Sequence, residues 1–568
     1  MDVNRVYQEW LSSPKVDEES KKELLAMDEA TKADAFYKDI AFGTAGMRGL
    51  LGPGLNRINV FTVAKVSIGL GLYVLRQGEK GAKKGIVISH DNRTMSREFT
   101  LLAADIFSKM GIKAYIFDAL RPTPELSFAV RYARAAAGVM ITASHNSKEY
   151  NGYKVYDEKG CQMVPDKIQP LLDILASLPG PLAVEIPLAE KQGEIVTFGP
   201  EVDDEYLSLV KTCQVHPELD KKGFKIIYSP QHGASYENAL RVFQELGYEI
   251  IPVKEQCVHD PFFGATKTPN PEKAEAWELS LEYAKRHHAD LCLMTDPDGD
   301  RCGLAYLSSK GTYERLTGNQ SGALLIDYVL GEKKAMGLLP ENAVIYDTIV
   351  TSTLGEEVAA HYGVKCESFL TGFKFIGDRI SHYEDLGVGP TFVFGYEESY
   401  GCLLAPFVRD KDGVQAILLY AEMALFYHRK GIPLDIAYEN LQKRFGFHYA
   451  ETQEKVFAGV EGAMKMKELM ERLHKEPIWS IHGVAVNEIR DYQKDITLFP
   501  DGRQEAIENL PPSDVVKYVL EDRSTLTVRP SGTEPKVKFY VEAVGKDEAG
   551  LKEKAQAYYR ALMEVLGI

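Results

Sequence analysis

The chain has 568 residues, more than one hydrophobic core supports, and this length predicts roughly three or four domains. An apolar fraction of 45% and a charged fraction of 26% are typical of a globular protein, and no apolar run predicts a membrane span. The formal net charge of −16 disfavours a binding surface for nucleic acid or for an anionic membrane. An anionic small molecule remains a possible substrate if arginines and lysines are concentrated around it.

The first thirty or so residues form a polar, amphipathic pattern that predicts a helical segment. We expect its buried side to carry Trp10, Leu11, Leu24 and Leu25. A glycine-rich stretch, Gly43–Gly49, follows and lacks the Lys-Ser/Thr ending of a P-loop. Its glycines and Arg48 suit an anion, although a plain loop with a surface arginine is an equally good interpretation.

From residue 85 onward, short apolar strands alternate with helices in three rounds. The predicted strands are 85–89, 114–117, 136–141, 224–228, 249–253, 290–295, 343–346, 366–370 and 392–394. The predicted helices are 96–110, 124–134, 236–246, 272–287, 319–331, 353–361 and 413–429. This alternation is typical of parallel, doubly wound sheets.

The tail from residue 446 has a different pattern. Residues 524–528 and 537–541 read as a β-hairpin, and a helix is predicted from about 548 to 565. The hairpin loop, residues 529–535, contains Arg529, Ser531, Gly532 and Thr533, a set of donors that suits a phosphate group. We therefore predict a smaller α+β domain.

Three aspartates at alternate positions, Asp296, Asp298 and Asp300, follow the predicted strand 290–295. Carboxylates this close repel one another unless a cation lies among them, and Mg²⁺ is the hard cation that suits so few protein oxygens. An EF-hand does not fit, because the glycine is at the fourth position and Leu307 takes the place of the terminal glutamate. An acidic surface turn remains the alternative.

Ser144 lies just beyond the predicted strand 136–141, where an open α/β sheet binds its ligands. A turn rich in serine and asparagine is the simpler interpretation of this stretch. Neither a G-x-S-x-G elbow nor an S-x-x-K spacing surrounds the serine, so a hydrolase nucleophile is disfavoured. Phosphoryl transfer fits better, because that chemistry needs a metal, cationic side chains and a hydroxyl that accepts the group.

These motifs together resemble the α-D-phosphohexomutase superfamily. The resemblance rests on Thr142–Asn146, the D-P-D-G-D-R loop 296–301, Gly395–Ser399, Arg529–Thr533 and the N-terminal Gly43–Gly49. Their order and spacing are those of the family, and the length resembles its phosphoglucomutase branch, which includes phosphopentomutase and glucose-1,6-bisphosphate synthase. Ser147 departs from the pattern, because many relatives carry proline there.

The resemblance implies an α/β fold with three related mixed α/β domains and a C-terminal α+β domain around a central cleft. Together with the pattern of predicted strands and helices, the resemblance predicts four domains, and each domain contributes one loop to the site. These are 1–205 with the phosphoserine loop, 206–318 with the metal loop, 319–445 with the sugar loop and 446–568 with the phosphate loop.

The resemblance also implies residue roles. Ser144 would carry the phosphoryl group, and the Mg²⁺ ligands would be Ser144, Asp296, Asp298 and Asp300. Arg48 and Arg301 would neutralise the phosphoserine. Lys154 and His145 would lie near the transferred proton, with Lys374 as a second acid–base or phosphate-contacting group. Glu397 and Ser399 would bind sugar hydroxyls, and the remaining phosphate would be held by Arg529, Ser531, Gly532 and Thr533.

The implied activity is that of a phosphoglucomutase, which interconverts α-D-glucose 1-phosphate and glucose 6-phosphate with glucose 1,6-bisphosphate as intermediate and activator. A phosphomannomutase, a pentomutase or bisphosphate synthase, and a non-catalytic phosphosugar-binding protein remain alternatives. The expected partner is a small phosphosugar, with neither nucleic acid nor membrane. The seven cysteines are scattered and never spaced as C-x-x-C, and residues 1–5 lack a signal-peptide pattern, so we expect a cytoplasmic protein.

Overall fold

The computed structural model describes residues 2–43, 46–457, 459–531 and 536–568. Gly532 and Thr533, predicted as site residues, and Thr44 and Ala45 of the N-terminal motif lie outside the described residues. The chain divides into two compact units. One comprises 1–321, 338–345 and 372–434, and the other comprises 322–337, 346–371 and 435–568. Among the described residues, no helix is both long and apolar enough to cross a membrane.

The N-terminal segment is three short helices rather than one, namely α1 Val3–Ser12, α2 Glu18–Ala26 and α3 Glu29–Phe36. An aspartate caps the N-terminus of each helix. Trp10 and Leu24 are buried as predicted, but the prediction for Leu25 was wrong, because its side chain is 68% exposed. The prediction assumed one amphipathic helix, whereas three separate helices pack around a small shared core.

The next region forms a seven-stranded mixed sheet. Its elements are β1 Phe42–Gly43, β2 Gly46–Leu50, α4 Val60–Leu75, α5 Gly78–Lys84, β3 Ile86–His90, α6 Ser96–Lys109, β4 Ala114–Phe117, α7 Thr123–Tyr132, β5 Ala137–Ile141, β6 Tyr150–Tyr156, α8 Pro165–Ser177, β7 Ile195–Phe198 and α9 Pro200–Lys211. The strand order is β1-β2-β6-β5-β3-β4-β7. Strands β5, β3, β4 and β7 run parallel, whereas β6, β2 and β1 are antiparallel additions.

The prediction of a parallel sheet therefore missed β6, and part of the predicted glycine-rich loop is strand β2. Asn151 and Gly152 interrupt the apolar pattern of β6, which hid the strand. Gly152 is required there, because a Cβ atom at this position would lie 2.6 Å from the carbonyl oxygens of both Met47 and Thr142. The strand β6 thus packs closely between β2 and the end of β5.

The second sheet has five strands in the order β12-β11-β10-β8-β9. Its elements are β8 Lys225–Ser229, α10 Tyr236–Glu245, β9 Glu249–Pro252, α11 Glu278–His287, β10 Leu291–Thr295, β11 Cys302–Leu307 and β12 Tyr313–Arg315. Strands β10, β8 and β9 are parallel, and β11 and β12 add an antiparallel edge that was not predicted. The helix predicted over 272–287 begins only at Glu278, after a 3₁₀ turn at Ala274–Trp277.

The third region carries α12 Gly318–Ala335, β13 Ala343–Thr348, α13 Leu354–His361, β14 Lys365–Phe369, α14 Lys374–Leu386, β15 Thr391–Glu397, β16 Gly401–Leu403 and α15 Gly413–Arg429. The bounds of α15 match the prediction. Its N-cap Asp412 accepts hydrogen bonds from the backbone N–H groups of Val414 and Gln415. Helix α14 was not predicted, and strands β15 and β16 form an antiparallel pair.

The C-terminal region is built on an antiparallel sheet of eight strands. Its elements are α16 Leu434–Phe445, β17 Phe447–Val456, α17 Gly459–Lys475, β18 Ser480–Ile481, β19 Val484–Asp491, β20 Ile496–Leu498, β21 Gln504–Ala506, β22 Val516–Leu520, β23 Thr525–Pro530, β24 Lys536–Gly545 and α18 Leu551–Leu566. The predicted hairpin is confirmed as β23 and β24, and the closing helix as α18. The sequence pattern did not predict β17–β22.

Candidate active site

Ser144 lies three residues beyond the end of β5, and its side chain is buried. Its backbone has a φ of 53°, the left-handed conformation that only a few per cent of non-glycine residues adopt. The hydroxyl Oγ donates a hydrogen bond to Oδ2 of Asp296 at 2.8 Å and lies 3.2 Å from Nδ1 of His145. The structure therefore joins two of the motifs that the sequence placed 152 residues apart.

The aspartates Asp296, Asp298 and Asp300 follow β10 and are almost completely buried. One carboxylate oxygen from each of them lies within 4.8 Å of the other two. Gly299, with a φ of 68°, allows the tight bend that turns the alternate side chains inward. This buried convergence excludes the acidic surface turn, the alternative that the sequence left open.

Lysine 154 supplies positive charge to this cluster. Its Nζ lies 2.7 Å from Oδ2 of Asp298 and 3.5 Å from Oδ2 of Asp300. Thr123, at the start of α7, donates a second hydrogen bond to Oδ2 of Asp298 at 3.0 Å. Lys154 reaches this place because β6 returns antiparallel beside β5, with Lys154 opposite Met140.

Burial and neighbouring charges shift the pKa values of Asp296, Asp298 and Lys154. Burial, together with the charges of Asp298 and Asp300, raises the pKa of Asp296 well above its ordinary value. Burial would also raise the pKa of Asp298, but the ammonium of Lys154 outweighs it and lowers that pKa. Burial opposes the charged form of Lys154, yet the two carboxylates raise its pKa. Lys154 is therefore charged at neutral pH.

The three aspartates also fit a divalent cation. Within the described residues, Oδ1 of Asp298 and Oδ1 of Asp300 are buried and have no hydrogen-bond partner. A buried carboxylate oxygen without a partner is costly, and a bound cation would satisfy it. An all-oxygen donor set at a bent loop suits Mg²⁺ better than the softer transition metals.

Arg48 and His145 complete the surroundings of Ser144. Strand pairing places Arg48 opposite Gly152, and its Nη1 donates to Oδ1 of Asn146 at 3.0 Å. Burial lowers the pKa of His145 well below its ordinary value, and the charges of Arg301 and Arg48 lower it further. The imidazole is therefore neutral beside the serine hydroxyl.

Comparison with known proteins identifies the family. Four models of phosphoglucomutase/phosphomannomutase domains match the chain: α/β/α domain I at residues 39–179, domain II at 204–308, domain III at 317–445 and the C-terminal domain at 469–557. A protein named phosphoglucomutase from Staphylococcus aureus is 35% identical over 510 residues, which is 89% of this chain and 90% of that protein. One of the same name from Staphylococcus epidermidis is 35% identical over 505 residues, 88% and 90% of the two chains.

The chain belongs to the phosphoglucomutase/phosphomannomutase family. Solved structures support the fold. The open form of parafusin, a phosphoglucomutase from Paramecium, aligns with a TM-score of 0.67 at 18% identity, covering 93% of this chain and 94% of that one. A phosphoglucomutase/phosphomannomutase family protein from Burkholderia thailandensis aligns with a TM-score of 0.66 at 17% identity, covering 93% and 97%.

The predicted sugar-binding loop lies at the end of β15. Glu397 is the last residue of that strand. Oε1 of Glu397 accepts a hydrogen bond from the backbone N–H of Gly372 at 2.9 Å, which ties the loop before Lys374 to that glutamate. Lys374 is buried at the start of α14, and Ser399 is half-buried. Burial raises the pKa of Glu397, and burial with the charge of Glu397 raises the pKa of Glu398 to about 7.

Arg301 is held by a partner that the sequence did not single out. Its Nη1 donates to Oε1 of Glu272 at 2.9 Å. Burial disfavours the charged guanidinium, but the charges of Glu272, Asp300 and Asp296 raise the pKa of Arg301. Its backbone N–H also donates to Oδ1 of Asp296 at 3.0 Å, which links the arginine to the aspartate cluster.

Sequence reasoning missed Lys411. Its Nζ lies 3.1 Å from Oδ2 of Asp300 and 3.3 Å from Oδ1 of Asp410. Burial opposes its charge, yet these carboxylates raise the pKa of Lys411. The available signal was the run of alternating charges Arg409–Asp412, which directly precedes the capped and buried helix α15.

The predicted phosphate loop lies in the other unit. Arg529 is near the end of β23, where it pairs with Lys538 of β24, and the backbone N–H of Ser531 donates to the carbonyl oxygen of Lys536 at 2.8 Å. Gly532 and Thr533, the other two predicted residues of this loop, are outside the described part of the chain. The predicted hairpin is present, but β23 continues to Pro530, two residues beyond its predicted end, and β24 begins at Lys536, one residue before its predicted start.

Proposed function

We propose that this chain is a phosphoglucomutase that interconverts α-D-glucose 1-phosphate and glucose 6-phosphate, with a phosphoserine at Ser144 and glucose 1,6-bisphosphate as intermediate and activator. The observation that carries the proposal is the contact between Oγ of Ser144 and the buried aspartate cluster, at 2.8 Å from Asp296. The relatives from Staphylococcus that bear the name phosphoglucomutase support glucose as the sugar.

Mg²⁺ is the cofactor that the donor set suits best. Asp296, Asp298 and Asp300, together with an oxygen on Ser144, would hold it. When bound, this cation neutralises charge on the phosphoryl group, which is a large part of catalysis in phosphoryl transfer.

Proton transfer is the second task of the site. In the net step, one proton moves from the sugar hydroxyl, whose oxygen bonds to phosphorus, to Oγ of Ser144, whose bond to phosphorus breaks. Lys154 is charged because of Asp298 and Asp300, so it suits the acid. His145 is neutral and faces Oγ of Ser144, so it suits a hydrogen-bond acceptor that orients the hydroxyl. We assign Lys374 and Lys411 as further cationic groups for this step or for phosphate contact.

The remaining charge and the sugar need their own binding groups. Arg48 and Arg301 are assigned to the charge of the phosphoserine, and the charges of both lower the pKa of His145 beside Ser144. Glu397 and Ser399 are assigned to the sugar hydroxyls. Arg529, Ser531, Gly532 and Thr533 are assigned to the phosphate that does not react. With both phosphates recognised, the bisphosphate can reorient and return its other phosphate to Ser144.

Assaying Ser144→Ala for conversion of glucose 1-phosphate to glucose 6-phosphate, with Mg²⁺ and a trace of glucose 1,6-bisphosphate, tests the proposal. Ser177→Ala is the matched control, because among the described residues that hydroxyl bonds only the carbonyl oxygen of Ile174, within the last turn of α8. We expect turnover to vanish in the first variant and to persist in the second. Near wild-type turnover in Ser144→Ala would overturn the proposal, and faster conversion of mannose 1-phosphate or ribose 1-phosphate by the wild type would overturn the sugar assignment.

A further inference from the structure

Arg93, between β3 and α6, has a completely buried side chain that contacts the segment around Ser144. Its Nε donates to Oδ2 of Asp91 at 3.1 Å. Its four other N–H groups donate to backbone carbonyl oxygens of residues 142–150, here called the serine loop: those of Ser144, Asn146, Ser147 and Tyr150. A guanidinium has five N–H donors, and all five are used here.

Asp91 extends the same network to the backbone N–H of Ser144. Its Oδ2 accepts a hydrogen bond from Oγ1 of Thr142 at 2.6 Å, and that Oγ1 accepts one from the backbone N–H of Ser144 at 2.8 Å. Its Oδ1 is held by Oγ of Ser96 at 2.8 Å and by the backbone N–H of Arg93 at 3.0 Å. Both the N–H and the carbonyl oxygen of Ser144 are thus bound by one buried network.

A loop beyond β9 covers the outer face of the guanidinium. The ring of Phe263 lies 5.1 Å from the Cζ atom of Arg93, and Phe263 is itself buried. Asn92 fastens this loop, because its Nδ2 donates to the carbonyl oxygen of Asp260 at 2.8 Å. Water therefore has little access to the carbonyl oxygens that Arg93 binds.

We propose that Arg93 and Asp91 are positioning residues that hold the backbone of Ser144 in its left-handed conformation, so that Oγ points at Asp296. This inference rests on the proposed function, in which Ser144 carries the phosphoryl group. The left-handed conformation is unfavourable for a serine and persists only where its surroundings enforce it. Binding both backbone polar groups of Ser144, and the carbonyl oxygens that follow it, enforces it directly.

The geometry explains why the residue is an arginine. A lysine ammonium has three donors around one nitrogen and cannot reach carbonyl oxygens on both sides of a planar fork. Ser147, which replaces the proline of many relatives, contributes its carbonyl oxygen at 2.7 Å, so its contact with Arg93 does not depend on its side chain. The loop is thus fixed from its main chain.

The test compares Arg93→Lys and Thr142→Val with Thr142→Ser and Arg97→Lys. Thr142→Ser keeps the hydroxyl that bridges Asp91 and Ser144, so it should restore what Thr142→Val loses. Arg97 is the control, because it lies four residues further along the chain, on α6, and its Nη1 donates to the carbonyl oxygen of Asp118, away from the serine loop. Steady-state mutase activity and phosphate uptake on Ser144 from glucose 1,6-bisphosphate, followed by intact mass, are measured for each.

We expect kcat and the rate of phosphate uptake to fall roughly 10- to 100-fold in Arg93→Lys and Thr142→Val, because a small displacement of a reacting group has effects of that size. KM for glucose 1-phosphate should change little, since the substrate contacts remain. Thr142→Ser and Arg97→Lys should behave like the wild type. A rise in KM with unchanged kcat, or failure of Thr142→Ser to restore activity, would overturn the inference.

Amide hydrogen exchange of the peptide covering the serine loop gives a second readout that does not depend on catalysis. Thr142→Val removes the acceptor of the Ser144 N–H, so exchange there should accelerate while the rest of the β5–β6 hairpin stays protected. Unchanged amide exchange at Ser144 in Thr142→Val would refute the proposed role of Arg93 and Asp91, even if activity fell. Absence of phosphate uptake by wild-type Ser144 would instead refute the proposed function, leaving the exchange result to decide the role of Arg93.

Discussion

The ammonium of Lys154 lies 2.7 Å from Oδ2 of Asp298 in a site from which water is largely excluded. The same nitrogen is 3.5 Å from Asp300, so one cation compensates two of the three buried aspartates. Because the strand pair β5 and β6 fixes the position of Lys154, this compensation is built into the fold. Lys154 thereby favours the ionised forms of Asp298 and Asp300, the two aspartates whose pKa values are lowered.

Replacing Lys154 by methionine should destabilise the metal-free protein by about 3 kcal/mol, since removing one partner of a buried ion pair leaves the other charges unpaired. Mutase activity should fall by at least about 100-fold, because the proposed acid is lost as well. Urea unfolding in the presence of EDTA measures the first effect, and the glucose 1-phosphate assay measures the second. Mg²⁺ should restore more stability to this variant than to the wild type, since it supplies the missing positive charge.

Lys222→Met is the control for this experiment, because Lys222 is an exposed lysine outside the site. Equal unfolding free energies for Lys154→Met and Lys222→Met would contradict the role of Lys154 as the compensating charge.

Magnesium should raise the melting temperature of the wild type, because a ligand that binds only the folded state stabilises it by about 2.7 kcal/mol at a hundredfold excess over Kd. Asp298→Asn should abolish that increase, since a carboxylate with an unpartnered oxygen is lost. It should also lower the melting temperature of the metal-free protein, because the ammonium of Lys154, which lowers the pKa of Asp298 and favours its ionised form, loses that partner. Asp173→Asn, on an exposed face of α8, serves as the control. A wild type that melts at the same temperature with EDTA and with Mg²⁺ would argue against the metal site.

Much of the site was predictable because strands deliver its residues. Ser144 and the aspartate cluster follow the apolar strands β5 and β10, and such strands are legible in a single sequence. The contact between Ser144 and Asp296 was not readable from spacing alone, since it depends on how two sheets pack. It became predictable only through the family resemblance of several motifs together.

The residues that were missed act through tertiary contacts. Lys411 looks like any charged loop residue until Asp300 is seen 3.1 Å from its ammonium. Arg93 is recognisable only by the carbonyl oxygens it binds, because backbone acceptors leave no trace in the sequence. Leu25 failed for the opposite reason, since its apolar side chain belongs to a short helix that turns it outward.

Gly152→Ala should lower the unfolding free energy by about 2 kcal/mol, as overpacking does where the neighbouring atoms cannot move. The added Cβ would meet the carbonyl oxygens of Met47 and Thr142 at 2.6 Å. Because β6 also carries Lys154, activity should fall together with stability. Gly180→Ala is the matched control, since in the described part of the chain no atom other than those of its two chain neighbours lies within 4 Å of its added Cβ. Chemical denaturation measures the unfolding free energy of both variants. An unchanged value for Gly152→Ala would show that β6 can move away from β2 and from the end of β5 without loss of stability.

In the C-terminal region, His474 of α17 bridges two aspartates. Its Nδ1 lies 2.8 Å from Oδ1 of Asp491, and its Nε2 lies 2.8 Å from Oδ1 of Asp514. Lys494 also contacts Asp491, at 3.4 Å, and its ammonium donates to the carbonyl oxygen of His474. Burial opposes the charged imidazole, but the two carboxylates raise the pKa of His474 to about 9.

The pKa of His474 is raised above the value near 6.5 that a histidine has in an unfolded chain. The contacts of the charged imidazole with Asp491 and Asp514 therefore stabilise the fold fully below about pH 6.5, and this stabilisation is lost as the pH rises through about 9. His474→Gln should therefore cost about 1–2 kcal/mol at pH 6, a value reduced for solvent screening, and progressively less between pH 7 and 9.5. His448, whose pKa is also raised to about 9, remains in both proteins, so the difference between wild type and variant isolates His474. Urea unfolding across this pH range measures the effect, with His259→Gln, at an exposed position, as the control. The difference in unfolding free energy between the wild type and His474→Gln should shrink as the pH rises. A difference that stays constant or grows would contradict the raised pKa of His474.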